Sequence, residues 1–238
     1  MNTKAPLVEL LFFIRTSKVR RDVGLCNISH GGSMAPNLKV ILEGGSGLEG
    51  KYIPDFNDLE VMVRLLRECG YRIVLTQGVY DMFHVGHKRY LEAASELADV
   101  LIVGVDSDEL TRETKGRIDP TRPFDKFEAR IEILCAMSFV RIVTRRHTDQ
   151  HTDDLIKLVK PDVLVVSKTT SSFTPEKIKE LEQFCGTIHH LEAKADPSTT
   201  STTAKLKRLR EEGAVELGRR VALAVQHEVE DYINGGEK

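Results

Sequence analysis

The chain has no tryptophan, and its four cysteines are far apart: Cys26, Cys69, Cys135 and Cys185 form no C-x-x-C pair. This spacing indicates neither a disulfide framework nor a cysteine redox motif. We therefore expect free thiols and a cytoplasmic location.

Charge imbalance and long apolar runs are also lacking. The formal net charge is -2 over 238 residues, so nucleic acid is not expected as a main partner. No apolar run is long enough to cross a membrane, and the short run at residues 7–14 lacks the cleavage site of a signal peptide. With 41% hydrophobic and 29% charged residues, the composition predicts a globular protein with one core and an extension.

What the sequence does contain is one dense motif at residues 75–90, LTQGVYDMFHVGHKRY. The apolar and β-branched residues at 72–75, which lead into the motif, predict the end of a buried strand. Apolar residues at helical spacing after His87 predict a helix that ends near Ala98. Gly78 lies between the two elements, where it permits a tight turn and the close approach of a ligand.

The start of this predicted helix is suited to a phosphate group. The first N–H groups of a helix have no partner within it and carry partial positive charge. His84 and His87 lie three residues apart at this start, so both rings can face one phosphate. The alternatives are two surface histidines beside a turn glycine, or a shared metal ion. No third ligand is evident nearby, and we assign no metal-binding residue.

The stretch Gly78-Val79-Tyr80-Asp81-Met82-Phe83-His84-Val85-Gly86-His87 resembles the signature of the cytidylyltransferase-like nucleotidyltransferases. The resemblance extends over residues 72–209. It implies an α/β fold with a Rossmann-like open parallel sheet and helices on both faces. It also implies an enzyme that transfers a nucleoside monophosphate from a triphosphate to a phosphorylated small molecule, a sugar or polyol phosphate, and releases pyrophosphate.

The resemblance also implies roles for individual residues. His84 and His87 would donate hydrogen bonds at the α-phosphate, and Lys115 and Arg130 would offset charge on the triphosphate. The residues expected to bind the nucleotide are Gly78, Val79, Tyr80, Asp81, Phe83, Gly86, His87, Asp106, Ser201, Thr202 and Thr203. Mg²⁺ is expected to accompany the nucleotide.

Asp106 and Ser107 follow the next predicted strand, where ligands gather in open α/β sheets. Asp106 could hold a ribose, or Mg²⁺ through water. Alternatively, Asp106 or Ser107 simply caps the helix that begins at Asp108.

Two branches of the family remain possible. Residues 160–165, KPDVLV, are similar to a segment of the heptose-phosphate adenylyltransferases, but Ser167-Lys168-Thr169-Thr170 then replace the glycines and acid of that branch. The motif at residues 78–87 fits the glycerol-phosphate cytidylyltransferase branch equally well. The arginine that this branch carries before its Ser-Thr-Thr element is missing, and Asp196-Pro197 stand near its place. ATP, CTP and the acceptor therefore stay open.

Strands are predicted at residues 38–42, 72–75, 100–105, 139–144, 161–166 and 187–191. The predicted fold contains a parallel sheet of about five strands. Helices are predicted at residues 55–69, 204–209 and 215–232, among others. We expect an N-terminal appendage (1–37), a nucleotidyltransferase domain (38–213) and a C-terminal helix (214–238).

Assembly and catalysis are the last two expectations. Family relatives are commonly dimers, and apolar residues on the terminal helix (Val221, Leu223, Val225 and Val229) predict a homodimer. The main alternative to an enzyme is a regulatory domain of the same fold that binds a nucleotide without turnover.

Overall fold

A computed structural model of the chain describes residues 29–30, 33–34, 38–43, 47–117, 120–151, 153–167, 173–191 and 202–235. The chain divides into two compact units. The first lies within residues 1–83 and 87–194, and the second within residues 84–86 and 195–238. Near the N-terminus, Ser29–His30 (β1) and Ser33–Met34 (β2) form a short antiparallel pair.

The first unit is built on a sheet of five strands, in which every neighbouring pair is parallel. The strands are β3 (Ile73–Gly78), β4 (Val100–Asp106), β5 (Ile142–Arg146), β6 (Val163–Ser167) and β7 (Thr187–Leu191). Their order is β5-β4-β3-β6-β7. The chain proceeds outward from β3 and then returns to its other side, so the order reverses between β3 and β6. Open α/β sheets bind ligands beside such a reversal, at the carboxyl ends of the strands.

Helices cover both faces of this sheet. They are α1 (Leu38–Glu43), α2 (Leu48–Lys51), α3 (Phe56–Glu68), α4 (Val85–Ser95), α5 (Asp108–Lys115), α6 (Phe127–Ala136), α7 (Asp154–Val159) and α8 (Pro175–Leu181). Side chains of α3, α7 and α8 share one buried cluster with Ile73 and Leu75 of β3. Side chains of α4 and α6 share another with Val74. Successive strand residues point to opposite faces, so these two clusters lie on opposite faces of the sheet. The predicted α/β fold, an open parallel sheet with helices on both faces, is thus confirmed.

The helix before the central strand has the predicted start and stop. The side chain of Asp55 caps α3 by accepting a hydrogen bond from the N–H of Asn57, at 2.7 Å. Gly70, with φ 82°, follows its last turn, a conformation that glycine adopts without the steric cost of a Cβ. The cap at Asp55 and the glycine at position 70 thus set the two ends of α3, and β3 begins three residues after Gly70.

Two predictions of secondary structure are wrong. Residues 38–42 were expected as a strand but belong to helix α1, in which Ile41 is fully buried. A short apolar run fits either element, because periodicity cannot distinguish them. The two helices expected at residues 204–209 and 215–232 are one helix, α9 (Thr202–Gly235). Its internal Gly213 costs only about 1 kcal/mol relative to alanine, which a long helix tolerates.

Helix α9 dominates the second unit and carries apolar side chains that are at least half exposed. These are Leu209, Val215, Leu217, Val221, Leu223, Val225 and Val229. Ion pairs along the helix, such as Arg208 with Glu212 at 2.6 Å, join residues one turn apart. Across the described ranges, no helix combines the length and the apolar character that a membrane span requires.

Candidate active site

The turn after β3 has an unusual backbone. Tyr80 and Met82 both adopt a left-handed conformation, with φ of 56° and 46°. A residue with a Cβ pays roughly 1–2 kcal/mol for this conformation, so the surrounding structure must hold it in place. Gly78, which was expected to permit the tight turn, is the last residue of β3 and has no positive φ.

Asp81, between these two residues, fastens the turn to the loop before α6. Its buried carboxylate accepts hydrogen bonds from the N–H groups of Phe124, at 3.0 Å, and Asp125, at 2.9 Å. It also forms an ion pair with Arg122, at 2.6 Å from Nε. Asp125 in turn binds the backbone of the turn: its Oδ2 accepts a hydrogen bond from the N–H of Met82, at 2.7 Å. The carboxylates of the turn and the loop thus bind each other's backbone.

Arg130 is the largest fully buried side chain of the described residues, at 1% exposure. Its guanidinium donates to the carbonyl oxygens of Val79, at 2.5 Å, and Asp125, at 3.1 Å. It also donates to the carboxylate of Asp108, at 2.7 Å. Arg130 therefore joins the turn after β3 to the first residue of α5. Its expected contact with a triphosphate stays a prediction.

The imidazole of His87 lies beside two aromatic rings. The Tyr80 ring meets it nearly edge-on, with centroids 5.6 Å apart, and the Phe83 ring is tilted against it at 5.4 Å. Burial raises the pKa of Tyr80 well above its ordinary value, so this phenol stays protonated. Aromatic contacts of this kind restrict the orientation of the His87 ring.

His84 precedes α4 and belongs to the second unit, with Gly86. Its Nδ1 accepts a hydrogen bond from the N–H of Gly86, at 3.0 Å. In a neutral imidazole, an accepting Nδ1 leaves the proton on Nε2, which is then a donor. This tautomer suits the expected hydrogen bond to a phosphate oxygen.

The carboxyl end of β4 carries a third charge pair, which is also nearly buried. Asp106 accepts a hydrogen bond from Nη1 of Arg146 at 2.6 Å, and both side chains are nearly buried. Burial raises the pKa of Asp106, while Arg146, Arg130 and Lys115 lower it electrostatically. Ser107, and not Asp106, caps α5 by accepting from the N–H of Leu110 at 3.1 Å.

Lys115 is the last residue of α5 and is half-buried. Its charge lowers the pKa of Asp106, at the carboxyl end of β4. Ser201 lies outside the described residues. Thr202 and Thr203 are the first residues of α9. The expected contact of Ser201, Thr202 and Thr203 with a nucleotide stays a prediction.

Sequence reasoning missed Arg122, Asp125 and Arg146. Arg146 is the last residue of β5, but the strand was expected to end at Thr144, so Arg146 was not placed at the sheet edge. The predicted free thiols are found at three of the four cysteines, Cys69, Cys135 and Cys185.

No group of three or more His, Cys, Asp or Glu side chains in the described part of the chain could hold a metal ion. Mg²⁺ in nucleotide sites is usually held by phosphates, waters and one or two carboxylates. The Mg²⁺ that is expected to accompany a nucleotide stays a prediction.

Comparison with known proteins identifies the family of the chain. A family model described as cytidylyltransferase-like matches residues 75–208. The chain is 42% identical over 116 residues to the "Bifunctional protein HldE" of a Nitratiruptor species, covering 48% of this chain and 24% of that one. It is 29% identical over 201 residues to the protein of the same name from Hahella chejuensis, covering 81% and 41%. A solved structure, the lipopolysaccharide core biosynthesis protein from Thermoplasma volcanium GSS1, has a TM-score of 0.44, with 22% identity and coverage of 51% and 97%.

The chain belongs to the cytidylyltransferase-like family, because the family model matches more than half of it. The expected family and its class, the nucleotidyltransferases, are thus confirmed, and the HldE relatives support the adenylyltransferase branch. The chain spans about a quarter to two-fifths of the length of these relatives.

Proposed function

We propose that the protein transfers a nucleoside monophosphate from a nucleoside triphosphate to a phosphorylated sugar or polyol, with release of pyrophosphate. The observation that carries the proposal is the position of the family motif. It follows β3 directly, beside the reversal of strand order between β3 and β6, where open α/β sheets bind nucleotides.

In the proposed reaction, an oxygen of the acceptor phosphate attacks the α-phosphorus in line. A bond forms between this oxygen and the α-phosphorus, and the bond from the α-phosphorus to the bridging oxygen of pyrophosphate breaks. The acceptor phosphate is already ionised, so no general base is required. Catalysis then rests on positioning the reactants and on stabilising the charge that develops on the phosphate oxygens.

Four groups of this chain have roles in the proposal. His84 and His87 donate hydrogen bonds at the α-phosphate, and Lys115 offsets negative charge on the triphosphate. Ser201, Thr202 and Thr203 hold its far end. Arg130 holds the turn after β3 through Val79. Mg²⁺ bound to the triphosphate would neutralise part of its charge.

ATP is the first candidate donor. The KPDVLV segment and the similarity to proteins named "Bifunctional protein HldE" both favour the adenylyl branch. The similarity covers only part of those proteins, and the stretch after β6 departs from the branch pattern at Ser167. We therefore propose a sugar or polyol phosphate as the acceptor without assigning one sugar.

The test is a pyrophosphate-release assay with ATP, CTP, GTP and UTP, each combined with a panel of sugar and polyol phosphates. We expect turnover with one nucleotide, ATP first, only when an acceptor is present. A thermal-shift screen with the same nucleotides and Mg²⁺ identifies the donor independently, because selective binding stabilises the folded state.

The histidine pair provides the matched variants. Changing His84 or His87 to Ala should lower kcat by about a hundredfold, the loss typical of one preorganised donor, with a smaller change in nucleotide affinity. Asn keeps a neutral donor and should restore part of the rate. His189, exposed on the edge strand β7, is the control, and its change to Ala should leave kcat unaltered. An unchanged kcat in both motif variants would contradict the proposed roles.

The second candidate is the non-catalytic nucleotide-binding domain. It predicts a thermal shift with a nucleotide but no pyrophosphate release with any acceptor. The intact histidine pair favours the enzyme, because backbone N–H groups alone can bind a phosphate.

A further inference from the structure

Asp125 stands where three parts of the site meet, although it belongs to no predicted motif. Its side chain accepts a hydrogen bond from the N–H of Met82, at 2.7 Å. Its own N–H donates to Asp81, at 2.9 Å, and its carbonyl oxygen accepts from Arg130, at 3.1 Å. One residue thus contacts the turn after β3 at two points and the buried guanidinium at a third.

These contacts differ in what a substitution can remove. The bonds to Asp81 and Arg130 use the backbone of Asp125, so they persist with any side chain. Only the bond to Met82 depends on the carboxylate. Met82 is one of the two left-handed residues of the turn, a conformation that neighbouring contacts must maintain. Changing Asp125 therefore releases the turn at one defined atom.

This turn determines the surroundings of His87. Tyr80 and Phe83 are the residues that lie against the His87 ring, at 5.6 and 5.4 Å between centroids. Met82 lies between them in the chain, so a change in its backbone conformation moves both rings. The path from Asp125 to His87 thus consists of one hydrogen bond, one backbone turn and two aromatic contacts.

We propose that Asp125 is a positioning residue of the transfer reaction, which holds the turn at Met82 and thereby the imidazole of His87. Its carboxylate acts as a hydrogen-bond acceptor and does not touch the reacting atoms. The inference rests on the proposed function, and its test is arranged so that the two can fail separately.

Three variants separate positioning from a purely structural role. Asp125→Ala removes the acceptor, and we expect kcat to fall by roughly tenfold to a hundredfold, as for other residues that orient a catalytic group. KM for the nucleotide should change much less. Asp125→Asn keeps an oxygen acceptor at the same place, so it should restore most of kcat although the charge is lost.

Asp162→Ala is the matched control. Asp162 accepts from the N–H of Ile73, at 2.8 Å, so it makes the same kind of bond at the other end of β3. We expect both alanine variants to lower the melting temperature, but only Asp125→Ala to lower kcat. A fall of kcat in both variants in proportion to lost stability would overturn the inference.

A second readout does not need turnover. The imidazole signals of His87 in a ¹H–¹⁵N spectrum, assigned by their loss in His87→Asn, should shift in Asp125→Ala and return in Asp125→Asn. Unshifted signals, or a kcat in Asp125→Ala equal to that of the wild type, would overturn the inference. If the wild type neither binds nor turns over any of the nucleotides, the proposed function fails instead, and the spectra still decide whether Asp125 positions His87.

Discussion

Replacing Arg130 by methionine would show what the buried guanidinium does for the fold. The side chain is 1% exposed, and it donates to Val79, Asp108 and Asp125. Methionine fills a similar length but offers no donor. The variant therefore leaves two carbonyl oxygens and one carboxylate without their partner at the same time.

The expected loss follows from these contacts. Removing one partner of a buried ion pair costs about 3–5 kcal/mol, because the other charge stays behind. Water reaches part of Asp108, whose side chain is 19% exposed, and this offsets some of the cost. The two carbonyl oxygens that lose their donor raise the cost further. Their contributions cannot simply be summed with that of the ion pair, because the groups are neighbours. We expect a total of roughly 3–5 kcal/mol, a large share of the stability of an ordinary domain.

Urea unfolding followed by circular dichroism measures this free energy by linear extrapolation. The control is Arg112→Met on α5, because Arg112 is more than half exposed and lies 3.7 Å from Glu109. The control should change the unfolding free energy by less than about 0.5 kcal/mol. A loss below about 1 kcal/mol in Arg130→Met, close to an average substitution, would refute the reasoning. If nucleotide affinity fell with so small a loss of stability, Arg130 would be a triphosphate ligand instead.

Three further predictions concern the rest of the chain. Burial raises the pKa of Cys135 from 9.0 to about 11, so the folded protein keeps a proton that the unfolded chain loses in this range. The unfolding free energy should therefore fall as pH rises from 9.0 to about 11, and Cys135→Ala should flatten this part of the profile. The exposed apolar residues of α9 predict a homodimer in light scattering, and a monomer mass at micromolar concentration would contradict it. Removing residues 1–37, which hold no motif residue, should leave kcat unchanged, whereas a large loss with an unaltered melting temperature would show a catalytic contribution.

The sheet was predictable because its strands are continuous apolar runs. All seven residues of β4 are buried, and such runs between helical patterns are typical of parallel strands. The prediction failed where a local pattern fits two structures, as at residues 38–42. It failed again between the helices predicted at residues 204–209 and 215–232, which are one helix. A single unfavourable residue such as Gly213 does not end a long helix.

The position of the motif in the fold was also predictable, but the contacts that hold it were not. The motif follows β3 at once, so the order of elements alone places it at the sheet's carboxyl edge. The residues that hold it are distant in sequence: Phe124 is 43 residues from Asp81, and Arg130 is 51 residues from Val79. No spacing rule connects such pairs. The left-handed backbone of Tyr80 and Met82 likewise has no signature, because glycine is the usual residue there.

Charge pairing in the site limits what its arginines can do for a triphosphate. Three arginines that hold the site together each face a carboxylate: Arg122 faces Asp81, Arg130 faces Asp108, and Arg146 faces Asp106, at 2.6, 2.7 and 2.6 Å. The partner carboxylate offsets part of each cation's charge, so we expect these residues to act mainly on the shape of the site.

Lys115 is different, because it forms no ion pair with any residue that the structure describes. We therefore expect the charge of the triphosphate to be met by Lys115, by the donors of the two motif histidines and by the N–H groups at the start of α4. Three arginines neutralised by three aspartates add no net charge, while a nucleoside triphosphate carries several negative charges. We therefore propose that the triphosphate enters with Mg²⁺ already bound, and we expect the pyrophosphate-release assay to require Mg²⁺.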